Sequence, residues 1–138
     1  MVPAPWTVAC MTERDRGVSE RTAPLTKDVR LAVGAALDKK ARDVVVLNLA
    51  SSGAFTDYFV VCSGQTVRQA RAIVDEILKQ LREKGTRPSH VEGYDHGEWI
   101  LIDCFDFIVH VFTDETRRFY DLDRLWGSAE RVEFPNSP

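Results

Sequence analysis

The stretch that most constrains the fold of this chain is residues 99–126, which read WILIDCFDFIVHVFTDETRRFYDLDRLW. Two apolar runs, 99–104 and 107–112, are separated only by Phe105 and Asp106. Apolar runs divided by so few residues are typical of two strands joined by a very tight turn. The sequence therefore predicts a hairpin here.

The first strand of this hairpin carries apolar side chains on both faces. Because side chains alternate along a strand, Trp99, Leu101 and Asp103 share one face. The other face then carries Ile100, Ile102 and Cys104. A sheet with one side in solvent would be polar on one face, so we expect either helices on both faces or a partner on one of them.

The rest of the chain alternates helical and strand patterns. A helix is predicted from Leu25, with Thr26 as its cap, and a longer helix over 66–84. Strands are predicted at 44–47, 58–62 and 89–92, a short helix at 114–120, and a segment at 122–126, ending in Trp126, that packs back on the domain. We expect a right-handed parallel crossover from strand 58–62 to strand 89–92. The fold prediction is a single α/β domain with a mixed β-sheet flanked by helices.

Length and composition set the bounds of that domain. A chain of 138 residues fits one domain with a core of its own. Residues 1–24 contain three prolines, few periodic apolar positions and balanced charges, which predicts a disordered tail. We expect the folded domain at 25–134 and a short C-terminal tail at 135–138.

The composition also indicates a compartment. No apolar run approaches the roughly 20 residues of a membrane helix. The three cysteines are an odd number, and Cys62 and Cys104 lie in apolar runs, which is typical of buried thiols rather than of a disulfide framework. The first 24 residues match neither a secretory signal nor an organellar transit peptide. We expect a cytoplasmic protein without a membrane partner.

Charge is unevenly distributed along the chain. Residues 92–124 contain nine carboxylates and three arginines, a net charge of −6, although the whole chain carries only −3. Nucleic-acid binding depends on Lys and Arg that neutralise phosphates, so direct sequence-specific binding is not expected here. Such an acidic region suits a basic protein partner, or it only keeps the surface soluble.

Several motifs in and around the hairpin resemble one known family. Residues 99–103 read WILID, residues 109–112 read VHVF, and residues 118–126 read RFYDLDRLW. Upstream, residues 57–61 read DYFVV, and Ser63 and Gly64 follow. In this combination the chain is similar to the Iojap-like ribosomal silencing factor family over roughly 25–134. One position departs from the pattern, since Phe105 stands where many relatives carry Gly, and a bulky residue is costly there if the backbone needs positive φ.

This resemblance implies a fold, a function and a partner. The fold is nucleotidyltransferase-like, and the activity is regulatory, with no cofactor. Similar proteins bind large-subunit ribosomal protein fourteen where the small subunit would dock, which blocks subunit joining and represses translation when nutrients are short. Together with strand alternation, the resemblance assigns anchoring to Trp99, Leu101 and Tyr120. It assigns charge pairing to Asp95, Glu98, Asp103, Asp106 and Asp121. The same patch is suited to closing a homodimer in the free protein.

Catalysis and metal binding find little support in the sequence. Nucleotidyl transfer needs a Gly-Ser turn at a helix start, followed by paired carboxylates that hold divalent metals. Here an acid-x-acid pair, Asp121 and Asp123, lies near the chain end, with Gly127 and Ser128 behind it. The three histidines lack the spacing of a metal site. We expect no enzyme and no metal, and we interpret His110 as a buried sheet histidine with one satisfied nitrogen.

One alternative stays open. Ser63 and Gly64 precede a predicted helix, and backbone N–H groups at such a start can bind an anion. A capped helix entry explains the same residues without a ligand. The alternative function is therefore a degenerate nucleotidyltransferase-like module that binds a nucleotide without turning it over.

Overall fold

The computed structural model describes residues 26–50, 56–121, 124 and 129–134. The helices are α1 (Lys27–Asp38), α2 (Val67–Glu83) and α3 (Asp114–Tyr120). The strands are β1 (Arg42–Asn48), β2 (Tyr58–Gly64), β3 (His90–Glu92), β4 (Trp99–Asp103), β5 (Phe107–Thr113) and β6 (Glu130–Phe134). Every element predicted between residues 26 and 120 is confirmed. The predicted tails at 1–24 and 135–138, and Trp126 with most of its segment, lie outside the described residues.

Each helix in the described part of the chain begins at a threonine cap. The side-chain oxygens of Thr26, Thr66 and Thr113 each accept a hydrogen bond from the backbone N–H three residues later. Such caps satisfy N–H groups that the first helical turn leaves unpaired, and each typically contributes about 1 kcal/mol. They explain why α1 and α2 begin where the sequence predicts.

The six strands form one mixed sheet in the order β3-β4-β5-β2-β1-β6. β2 and β5 are parallel, and every other neighbouring pair is antiparallel. β3 therefore runs in the same direction as β2, although β4 and β5 lie between them. The predicted crossover through α2 is confirmed in direction, while its hand stays a prediction.

The two ends of the sheet carry different candidate residues. β2 and β5 both start at one end, which we call the turn end because residues 104–106 connect β4 to β5 there. They finish at the other end, which we call the helix end because α3 follows β5 there. In β4, Trp99 pairs with Phe112 near the helix end, and Asp103 pairs with Ile108 near the turn end.

Both faces of the sheet are apolar. α1 and α2 cover one face, where they pack on Ile100, Ile102 and the residues of β1, β2 and β5 that point the same way. A second buried cluster lies on the opposite face, which we call the Trp99 face; its members are Val45, Leu47, Leu49, Phe59, Val61, Ile108 and Phe112. Trp99 and Leu101 pack against this cluster while remaining partly exposed. The alternation predicted for β4 is thus confirmed.

β6 is absent from the sequence-based predictions. It pairs antiparallel with β1 at the edge of the sheet. Its signal is a short alternation, in which the charged Arg131 and Glu133 flank Val132, and buried Phe134 follows. Charged side chains on an edge strand discourage pairing with other chains, which explains why so polar a segment occupies this position.

Candidate functional site

Trp99 lies at the start of β4, half-buried on the Trp99 face. Its ring stacks on Phe112 across the strand pair, with centroids 5.1 Å apart. Its Nε1–H donates a hydrogen bond to Nδ1 of His110 at 3.1 Å. These two contacts hold the indole in one orientation while part of it stays accessible to a partner.

His110, in the middle of β5, is only 4% exposed. Because its Nδ1 accepts from the Trp99 indole, its proton is assigned to Nε2, and that atom has no hydrogen-bond partner within the described residues. Burial lowers the pKa of His110 to about 4, so the ring is neutral near pH 7 and stays available as an acceptor. The sequence-based interpretation, a buried sheet histidine with one satisfied nitrogen, is confirmed for the described chain.

The aromatic contacts continue outward from Trp99 to α3. The Tyr120 ring lies 4.6 Å from the Trp99 ring and is 49% exposed. Phe119 meets Tyr120 edge-on at 5.0 Å and is 80% exposed. We call Phe112, Trp99, Tyr120 and Phe119 the aromatic ladder, since they run from the buried core to the surface. Phe119 was not singled out from the sequence; its place beside Tyr120 at the end of the short predicted helix was the available signal.

Arg117 fixes the position of α3. Its Nη1 donates to the backbone carbonyl of Asp43 at 2.6 Å and to the hydroxyl of Ser63 at 2.9 Å. These bonds tie α3 to β1 and β2 at the helix end. Asp121 closes the helix in a left-handed conformation, and its N–H donates to the Arg117 carbonyl at 2.8 Å. The Arg117 bonds and the Asp121 cap together hold Tyr120 against Trp99.

The loop 93–98 brings two more candidate residues to the helix end. Arg71 of α2 donates to the backbone carbonyls of Tyr94, at 2.9 Å, and Asp95. The carbonyl of Glu98 accepts from the Thr113 N–H at 3.0 Å. The side chains of Asp95 and Glu98 are exposed at the helix end. The bonds from Arg71 hold the Asp95 segment against α2, the helix that covers the opposite face of the sheet.

Asp103 and Asp106 lie at the turn end, apart from the other charged candidates. Asp103 is four residues from Trp99 along β4, a distance of about 13 Å. One carboxylate oxygen of Asp103 accepts from the Phe105 N–H at 3.0 Å, and the other lies 3.9 Å from His90 Nε2. Leu101, opposite His110, lies between the two ends. The structure therefore brings Trp99, Tyr120, Asp121, Glu98 and Asp95 to the helix end, with Asp103 and Asp106 at the other.

Comparison with known proteins shows the family of this chain. The family model described as "Ribosomal silencing factor during starvation" matches residues 22–138. The chain belongs to this family. Ribosomal silencing factor RsfS of Halalkalibacterium halodurans is 42% identical over 105 residues, which are 76% of this chain and 90% of that protein.

Two further relatives differ more from this chain in sequence. A crystal structure of a protein from Chromobacterium violaceum, 32% identical, gives a TM-score of 0.71 over 73% of this chain and 84% of that one. Mouse "Mitochondrial assembly of ribosomal large subunit protein 1" is 30% identical over 102 residues, 72% of this chain and 45% of the mouse protein. The resemblance stated from the motifs is confirmed at the level of the family.

The matched family and the Halalkalibacterium halodurans relative are named for ribosomal silencing, a regulatory role rather than a catalytic one. Burial raises the pKa of both Cys62 and Cys104 to about 12, which leaves neither thiol suited to nucleophilic attack near pH 7. Within the described residues, no group of three or more His, Cys, Asp and Glu is arranged to hold a metal, and no helix is long and apolar enough to cross a membrane.

Of the two residues considered for nucleotide binding, Ser63 has a side chain that is used within the fold. The Ser63 side chain is buried and accepts the hydrogen bond from Arg117. An open cavity of about 360 Å³ between α3, β1 and β6 is lined by three arginines and three carboxylates, together with Val44, Val45 and Phe134. This lining is balanced in charge. A second cavity of about 370 Å³, beside Ser63, is lined by three arginines and two carboxylates, an excess of one positive charge. The nucleotide-binding alternative therefore stays a prediction.

Proposed function

We propose that this chain silences ribosomes by binding large-subunit ribosomal protein fourteen and blocking the joining of the two subunits, in the cytoplasm of its host. The observation that carries the proposal is the aromatic ladder, a row of apolar rings that runs from the core to the surface, with the exposed Asp95, Glu98 and Asp121 at the same end of the sheet. Membership of the family, and the name of the mouse relative, support a target on the large subunit.

The chemistry of the Trp99 face suits a basic protein partner. Trp99, Leu101 and Tyr120 supply an apolar centre, and aromatic residues of this kind often dominate the binding energy of interfaces. The carboxylates at the two ends flank that centre. Because ribosomal proteins are generally basic, these charges steer association, while the rings slow dissociation.

The site is also preorganised. Trp99 is stacked on Phe112, hydrogen-bonded to His110 and contacted by Tyr120 before any partner arrives. Little rotational freedom remains to be lost on binding, so more of the contact energy appears as affinity. The same face suits a homodimer in the free protein, in which case subunit binding and dimerisation compete.

Co-sedimentation with purified large subunits tests this proposal. We expect the unaltered chain to bind and to reduce the yield of joined ribosomes when small subunits are added. Trp99→Ala and Tyr120→Ala should weaken binding at least about tenfold, the range of an interface hot spot. Asp103→Lys should weaken it by charge reversal.

Glu83→Lys is the matched control, since it reverses an exposed charge at the end of α2, away from the Trp99 face. Equal binding by Glu83→Lys and the unaltered chain is expected. Unchanged binding by all three site variants would refute the site. A chain that does not bind large subunits, or that is stabilised by a nucleotide with magnesium, would refute the function.

A further inference from the structure

We propose that the β4–β5 turn is a second contact point, at which Phe105 and the carboxylates beside it take up an arginine-bearing segment of a basic protein. This inference rests on the proposed function, because the protein concerned is the partner that binds the aromatic ladder. It assigns a role to a residue that lies outside the ladder and faces solvent.

Phe105 combines two unfavourable features. Its side chain is 77% exposed, and the only other exposed large apolar side chains of the described residues, Phe119 and Tyr120, belong to the ladder. Its φ is +68°, a left-handed conformation that Gly adopts without strain and an aromatic residue rarely does. Folding alone would favour Gly here. An exposed ring at such a strained position indicates a use outside the fold.

The backbone of the turn is fixed on both sides of the ring. The Phe105 N–H donates to the Asp103 carboxylate at 3.0 Å, and the Thr56 hydroxyl donates to the Phe105 carbonyl at 3.1 Å. The Asp106 N–H donates to the Cys104 carbonyl at 2.8 Å. The ring therefore projects from a rigid support, which lowers the ordering cost of binding.

The surroundings of the ring are acidic. Asp103 and Asp106 flank it in sequence, and the Asp106 carbonyl accepts from the Asp57 N–H at 3.0 Å, which places Asp57 beside the turn. Burial raises the pKa of Cys104, and the carboxylates of Asp103 and Asp28 raise it further. His90 Nε2 lies 3.9 Å from a carboxylate oxygen of Asp103 and closer, at 2.9 Å, to Glu92.

An arginine fits this combination better than other ligands. Its guanidinium can stack on the face of an aromatic ring while its N–H groups bond a carboxylate. Phosphate groups of RNA would be repelled by the same carboxylates. The turn lies about 13 Å or more from Trp99 along β4, and an interface of about 800 Å² per partner can cover both points.

Phe105→Gly separates binding from folding. In the full chain with purified large subunits, we expect its dissociation constant to rise about tenfold, the loss of a desolvated cation–ring contact. Its thermal midpoint should stay equal or rise, because the left-handed strain is removed. A lower thermal midpoint together with weaker binding would show that Phe105 is structural and would overturn the proposal.

Two further variants identify the occupant. Phe105→Leu keeps the bulk and the strain but removes the aromatic face, so it should bind as weakly as Phe105→Gly; binding like the unaltered chain would overturn the arginine contact. Asp106→Lys should also bind more weakly. Tighter binding by Asp106→Lys would indicate RNA at the turn and would overturn a basic protein segment.

Failure of the second contact and failure of the proposed function give different binding results. Normal binding by Phe105→Gly, beside lost binding by Trp99→Ala, would overturn the second contact alone. Absence of binding by the unaltered chain would overturn both.

Discussion

At the scale of single residues, His110 connects the core to the candidate docking face. Its neutral ring accepts the Trp99 hydrogen bond, and burial lowers its pKa to about 4 from 6.5. The unfolded chain therefore takes up a proton on this side chain before the folded chain does. Stability from the neutral ring is full above about pH 6.5 and is lost as the pH falls towards 4.

We expect protonation of His110 to lower the free energy of unfolding by roughly 3 kcal/mol as the pH falls from about 6.5 to about 4. Urea unfolding of the unaltered chain and of His110→Gln between about pH 7.5 and 4.5 measures it. Carboxylates contribute equally to both proteins, so the difference between them reports His110. Parallel curves for the two proteins would contradict the prediction.

Two glycines test how tightly the start of β4 is packed. Gly93 and Gly85 both have positive φ, so a side chain is strained at either position. A Cβ on Gly93 would also overlap the Trp99 carbonyl oxygen, whereas one on Gly85 would meet nothing within 4 Å. We expect Gly85→Ala to cost about 1 kcal/mol and Gly93→Ala about 3 kcal/mol or more. Equal thermal midpoints for the two variants would contradict this tight packing, because they would show that the loop 93–98 shifts to make room for the added Cβ.

At the scale of elements, the position of α3 decides where Tyr120 lies. The bonds from Arg117 to Asp43 and Ser63 tie this helix to β1 and β2, and the ring contact between Tyr120 and Trp99 ties it to β4. Arg117→Ala should lower the free energy of unfolding by about 2 kcal/mol, because charge-assisted hydrogen bonds are lost. The neighbouring Arg118 is exposed, so Arg118→Ala is the control, with an effect within about 0.5 kcal/mol. Chemical denaturation compares them, and similar losses would contradict the anchoring role.

The elements were predictable from the sequence because their signals are local. The Thr26 cap and the three- and four-residue spacing marked α1, and the same spacing marked α2. The alternation in β4 placed Trp99 and Leu101 on one face. The strand order was not predictable, since β6 pairs with β1 across more than eighty residues of chain and its own pattern is short. The contact between Trp99 and Tyr120 at one end of the sheet was not foreseen either. Alternation assigns a side chain to a face of the sheet, but it does not show which other elements that side chain contacts.

At the scale of the whole molecule, the acidic ends should govern the rate of encounter. Charges that face a basic partner raise the association rate, and salt screens them over about 10 Å at 0.1 M. We expect the association rate with large subunits to fall several-fold between low and moderate salt, with little change in the dissociation rate. Surface-based kinetics measures both rates, and a salt effect confined to dissociation would contradict steering.

The placement of Trp99 and Asp103 on one strand has a last consequence. Their separation is fixed by the extended backbone of five consecutive residues, so loop movements do not change it. A single inserted residue between them would turn Asp103 to the opposite side of the sheet, where the helices lie. Insertions should therefore be absent from this strand in functional relatives, while the neighbouring loop can vary in length.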